Sequence, residues 1–169
     1  MPERPGFIVD TNILSNRRDA AINPNVALWL SRHARLVRIS VVTIAEMHRG
    51  LLLLETRAAA ASRATKIRLT AALRSKRAWY DAVLDRYSDR LEPIDRPVAE
   101  KWAEMSVRFP SLRDRDKAIA ATALAKGLGI ATRNLGDFRN TGVSLVDPFD
   151  PGTWGDDRDQ DPLAPLFQT

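Results

Sequence analysis

Residues 116–138 read DKAIAATALAKGLGIATRNLGDF, and two changes of pattern inside this stretch set the fold class. From Asp116 to Lys126 the chain is rich in alanine and free of helix breakers, and Gly127 is the residue type on which helices stop. Residues 129–132 then form a short apolar run, a strand candidate, before polar residues lead on to Asp137. A helix that delivers the chain into a strand is one half of an alternating α/β unit.

The alternation continues outward in both directions. Further strand candidates are residues 7–9, 36–41, a weak 91–94 and 143–146. Most lack the two-residue alternation of a half-exposed strand, as expected of strands covered on both faces. Helical patterns lie between them. One follows Pro24, with Val26, Trp29 and Leu30 on one side, and another starts near Thr43, whose hydroxyl is suited to cap it. The longest spans 63–87, with Leu69, Leu73, Tyr80, Leu84 and Tyr87 at spacings of 4, 7, 4 and 3. Val98, Trp102 and Met105 mark one more after Pro97. The expected architecture is α/β, a mostly parallel central sheet with helices on both faces.

At 169 residues the chain is expected to form one domain, over 1–149. Residues 150–169, acidic and proline-rich, read as a mobile tail whose Trp154, Leu163 and Phe167 are free to dock on the body or on a partner. No apolar run reaches the length of a membrane span, and MPERPGF lacks the apolar stretch of a signal peptide, so a cytoplasmic protein with no membrane partner is expected. The absence of cysteine excludes a disulfide scaffold, a thiolate metal site and a cysteine nucleophile. The net charge of +5 is uneven: the tail holds five aspartates against Arg158, a balance of −4, which leaves +9 on residues 1–149. A basic body suits a polyanionic partner such as nucleic acid.

Against that background four acids stand in apolar company. Asp10 follows Phe7, Ile8 and Val9; Glu46 lies early in the helix after the second strand; Asp116 opens the alanine-rich helix; Asp137 lies beyond the fourth strand, just before Phe138. Each has an ordinary explanation as a turn residue, a solvated helix residue or a helix-start acid. Together they have another, because strand ends and the helix starts that follow them gather on the C-terminal edge of such a sheet. Two like charges about 4 Å apart repel by roughly 4 kcal/mol at an effective dielectric near 20, so four carboxylates on one rim call for a cation. Oxygen ligands without histidine or cysteine favour Mg²⁺ or Mn²⁺ over zinc. Such ions clamp phosphate oxygens and activate water in phosphodiester cleavage.

The segments FIVDTNILS (7–15), SVVTIAEMHRGL (40–51), DKAIAATALAKGLGIATRNLGDF (116–138) and VSLVDPF (143–149) resemble, in that order, the PIN-domain ribonucleases, in particular the VapC-type toxins of bacterial toxin–antitoxin pairs. The resemblance implies a three-layer α/β/α sandwich and a Mg²⁺- or Mn²⁺-dependent endoribonuclease acting on RNA. It also implies a cognate antitoxin and a homodimer. The family's acidic quartet falls on Asp10, Glu46, Asp116 and Asp137, expected both as catalytic residues and as metal ligands. Asp114 competes for the third place, but the family's Asp-x-x-Ile-Ala-Ala pattern fits only from Asp116. Thr11, Asn12, Thr132 and Asn134 match its accompanying polar residues, which would hold the carboxylates in place.

Two other readings compete. A haloacid-dehalogenase-type phosphohydrolase also starts with an aspartate after an apolar strand, but needs a second aspartate two residues on, where this chain has Asn12. A non-catalytic PIN-like module that docks RNA or an antitoxin would keep the fold without the chemistry. His33 and His48 lie in no nucleophile motif, and no phosphate-loop lysine pattern is present. Residues 56–80 hold seven basic side chains and no acid, with Arg63, Lys66, Arg74 and Arg77 on roughly one side of the helix: a track for RNA, a surface for an acidic partner, or a solvated face. Arg49 and Arg133, beside the motif acids, are candidates to meet a scissile phosphate.

Overall fold

The structure is a computed structural model that describes residues 6–16 and 23–155. Five strands, β1 (Phe7–Val9), β2 (Val37–Ser40), β3 (Leu91–Glu92), β4 (Gly129–Ala131) and β5 (Leu145–Val146), form one sheet in the order β3-β2-β1-β4-β5. Every pairing is parallel; Phe7 lies opposite both Val37 and Gly129, which fixes the register at the centre. Parallel neighbours need crossovers, and the helices supply them.

Side-chain alternation along β1 splits the interior into two cores. Ile8 points to one face with Ile130, Val98, Met105, Ile119 and Phe138. Val9 points to the other with Val37, Ile39, Trp29, Met47, Val83 and Tyr87. On the first face α5 (Arg96–Arg108) and α6 (Asp114–Lys126) pack together. On the second lie α2 (Pro24–Arg32), α3 (Val41–Ala60) and α4 (Arg63–Tyr87). The fold is thus a three-layer α/β/α sandwich around a parallel sheet. Every strand expected from the sequence is present, each within three residues of the expected bounds, and the helix at 63–87 has the bounds expected.

Three local features differ from the sequence reading. Helix α3 starts at Val41 rather than near Thr43, because the Ser40 hydroxyl accepts the Val42 N–H at 3.2 Å and caps it. Thr43 lies inside the first turn, its hydroxyl buried without a hydrogen-bond partner. Two short helices, α1 (Thr11–Asn16) and α7 (Leu135–Phe138), occupy segments to which the sequence assigned no element. Both are too short to carry a periodic signal. Trp154, placed in the tail by composition, is 7% exposed and packs into the second-face core. Its indole N–H donates to Asp147 O at 3.0 Å. The rest of that tail, 156–169, lies outside the described residues.

Two glycines place the strand that carries the site. Gly127 ends α6 at φ +65°, the left-handed conformation a side chain resists. At Gly129 an added Cβ would meet the Phe7 ring at 2.8 and 2.9 Å, so only glycine lets β4 lie this close to β1. Among the described residues no helix is long and apolar enough to cross a membrane.

Candidate metal centre

All four acids named from the sequence lie on the C-terminal rim of the sheet, and the topology explains why. Asp10 is the residue after β1, and its backbone N–H extends the ladder by donating to Ala131 O at 3.0 Å. Glu46 sits one turn into α3, which leaves directly from the end of β2. Helix α6 feeds β4 and must run antiparallel to it, which brings its first turn, with Asp116, back over the end of β4. Asp137 lies in α7, beyond that same strand end.

Asp10 is held by three donors: the Thr11 N–H at 2.6 Å, the Asn12 side-chain amide at 3.0 Å and the Thr132 hydroxyl at 2.8 Å. Thr132 is fully buried and also accepts the Asn134 N–H at 3.0 Å, which ties Asp10 to the loop that leads to Asp137. Of the polar residues matched from the sequence, Asn12 and Thr132 thus orient the first acid through their side chains and Thr11 through its backbone N–H, while Asn134 meets Thr132 through its backbone N–H. Thr11 continues the chain of contacts, its hydroxyl donating to Glu46 Oε2 at 3.3 Å.

Two arginines join the remaining acids. Arg115 reaches Glu46 Oε1 through one terminal nitrogen, while its Nε lies 3.3 Å from Asp116 Oδ1. Arg113 donates from Nε to Asp116 Oδ2 at 2.6 Å and from its other arm to Asp137 Oδ2 at 2.7 Å. One run of polar contacts thus passes from Asp10 through Thr11, Glu46, Arg115, Asp116 and Arg113 to Asp137. The Asp116 carboxylate, hydrogen-bonded to Arg113 and close in charge, holds that guanidinium above its ordinary pKa; Asp137 and Glu46 add to the effect from farther away.

Burial separates the two candidates for the third acid. Asp116 has a side chain only 5% exposed and takes both arginines, whereas Asp114 is 81% exposed and pairs outward with Lys117 at 3.1 Å. Arg113 and Arg115 were not singled out by the sequence. Arg113 stands three residues before Asp116, a spacing at which side chains meet on a helix, so that half of the signal was available. The reach of Arg115 to Glu46, across 69 positions, was not. Of the arginines named instead, Arg133 stacks on Phe149 at 4.9 Å, and Arg49 is exposed on α3. Arg77 leaves the expected basic track to pair with Glu55 of α3, while Arg63, Lys66 and Arg74 line one shallow groove.

The donor set fits a hard divalent cation in kind. It consists of carboxylate oxygens, and both histidines are engaged elsewhere: His33 stacks on Trp29 at 4.4 Å and His48 lies over Tyr80 at 5.6 Å. Asn12 Oδ1, in the residue that clamps Asp10, is buried with no hydrogen-bond partner. Among the described residues no three acidic or histidine side chains converge tightly enough to hold an ion as they stand. The guanidiniums lie between them. Asn12 also argues against the haloacid-dehalogenase reading, since an amide donating to Asp10 cannot act as the general acid that chemistry needs.

The family model described as PIN domain matches this chain over residues 7–143. The chain belongs to the PIN-domain family. It is 27% identical to the VapC ribonuclease Y4jK of Sinorhizobium fredii over 86% of its length and 99% of that protein. With Toxin FitB of Neisseria gonorrhoeae it shares 29% identity over 85% of its length and 98% of the toxin. Among solved structures, FitAB bound to an IR36 DNA fragment superposes with a TM-score of 0.65 at 26% identity, over 85% of this chain and 96% of the other.

Proposed function

We propose that this protein is a divalent-metal-dependent endoribonuclease and the toxin half of a type II toxin–antitoxin pair. The observation that carries the reading is the placement of Asp10, Glu46, Asp116 and Asp137 on one rim, linked through Thr11, Arg115 and Arg113, in a chain whose residues 1–149 carry a charge of +9. Membership of the PIN-domain family and the likeness to a protein named as a VapC ribonuclease support nuclease chemistry. Likeness to a protein named as a toxin, and to FitAB, supports a partner antitoxin.

In this reading Asp10 and Asp116, together with Glu46 and Asp137, would hold a Mg²⁺ or Mn²⁺ ion. The ion supplies Lewis acidity at the oxygens of the scissile phosphate. Thr11, Asn12 and Thr132 fix the rotamer of Asp10, and the basic body draws the RNA that four acids alone would repel. The exposed basic groove on α4 offers further contacts to the RNA backbone or to an acidic stretch of the antitoxin.

The test is incubation with total RNA in Mg²⁺, Mn²⁺ or EDTA, with mapping of fragment ends. Cleavage in either metal, abolished by EDTA and by Asp10→Ala or Asp116→Asn, is expected. Equal cleavage by Asp116→Asn and the natural protein would remove the assignment.

A further inference from the structure

The two arginines at the start of α6 are placed oddly for ordinary surface cations. Arg113 stands at the helix N-cap, and Arg115 is the second residue inside. Each spreads its planar fork across two carboxylates that belong to different elements, and both converge on Asp116, the most buried acid of the set. The N-terminal end of a helix is the less favourable end for a cation, so their attraction to the acids must outweigh the helix field. Both side chains remain about half exposed, at 55% and 44%, so they can swing into solvent without disturbing either core. Guanidinium hydrogens occupy the carboxylate oxygens of Glu46, Asp116 and Asp137 that a metal ion needs, and a dication among them would repel both arginines.

We propose that Arg113 and Arg115 form an internal counter-ion latch: they pair with Glu46, Asp116 and Asp137 while no divalent cation is bound, and they must let go for one to enter. This rests on the reading of the rim as a metal centre. The latch keeps the acids neutralised without metal and sets the metal affinity below that of the bare carboxylates. Its loss therefore tightens metal binding, whereas the loss of a residue that helps to hold the ion would weaken it.

The experiment uses the full chain stripped with EDTA and then dialysed free of chelator. Mn²⁺ is titrated into the natural protein, Arg113→Gln, Arg115→Gln and the double variant, with free Mn²⁺ read from its electron paramagnetic resonance signal. The double variant is expected to bind roughly tenfold more tightly, a coupling within the usual range between linked sites. Each single variant should lie between, and Arg115→Lys should restore part of the competition. A second measurement needs no variant. The Nε–H signals of Arg113 and Arg115 in ¹⁵N spectra should be protected from exchange in EDTA and lose that protection along the Mg²⁺ titration. Mn²⁺ binding by the natural protein with unchanged or weaker affinity in the variants, or arginine signals that stay protected at Mg²⁺ saturation, overturns the latch and leaves the metal centre standing. No Mn²⁺ binding by any of the proteins overturns both.

Discussion

Replacing Thr132 by valine removes one hydroxyl from the centre of the rim and changes almost nothing in shape. That hydroxyl is fully buried, donates to Asp10 Oδ2 at 2.8 Å, and accepts the Asn134 N–H at 3.0 Å. A hydrogen bond to a charged acceptor contributes about 1.5–3 kcal/mol, and the Asn134 N–H loses its acceptor as well, so Thr132→Val should destabilise the fold by about 2–3 kcal/mol. In a domain of this size that is a fall of about 5–10 °C in Tm. The same change frees Asp10 to turn, and losing such a support to a metal-holding carboxylate costs about 10–100-fold in activity or metal affinity. Thr132→Ser keeps the hydroxyl and should recover most of the activity while losing about 1 kcal/mol for the missing methyl group. Urea unfolding and RNA cleavage at saturating Mg²⁺ read the two effects separately. Full stability and full activity in Thr132→Val would refute the claim that this threonine holds Asp10.

Trp154→Ala should cost about 3 kcal/mol in guanidinium unfolding, because it empties a core position and drops the bond to Asp147; a loss below about 1 kcal/mol would place residues 150–155 outside the cooperative unit. Asp95 caps α5 through the Val98 N–H and pairs with Lys126, which holds its carboxyl below the ordinary value of 3.8. A folded pKa lowered in this way contributes stability above the unfolded value, which is lost as pH falls through the folded one. The Tm gap between the natural protein and Asp95→Asn should accordingly be full at pH 7, narrow only as pH falls below the ordinary 3.8, and close once pH is below the lowered folded value; a gap that does not change with acid would assign it to something other than ionisation. Asp10→Asn and Asp137→Asn should each reduce cleavage sharply, and the double variant should be no worse than the more severe single, as for groups that act as one unit. Losses that multiply would mean that the two acids act independently.

The layers and the rim were legible in the sequence because both come from pattern. Short apolar runs without alternation, separated by helical spacing, leave few options besides a covered parallel sheet, and such a sheet dictates where strand-end acids go. Asp10, Glu46, Asp116 and Asp137 could thus be placed together across 127 residues, with the choice of Asp116 over Asp114 resting on the family resemblance. The features that could not be read depend on side-chain reach. Arg115 finds Glu46 only because α3 and α6 start on the same edge, and no local spacing records that. The choice of Ser40 over Thr43 as the cap of α3 turns on three residues of boundary, which propensity does not resolve. Trp154 was assigned by the composition of its neighbours, whereas its packing is decided by the space between Arg32 of α2 and the end of β5.

Anomalous diffraction from crystals grown or soaked with Mn²⁺ addresses the metal centre itself. A manganese peak is expected within coordination distance of Asp10 and Asp116, with the Arg113 and Arg115 guanidiniums displaced from the carboxylates they now hold. A fully soaked crystal with no peak on that rim, or with manganese bound only elsewhere on the surface, would contradict the assignment.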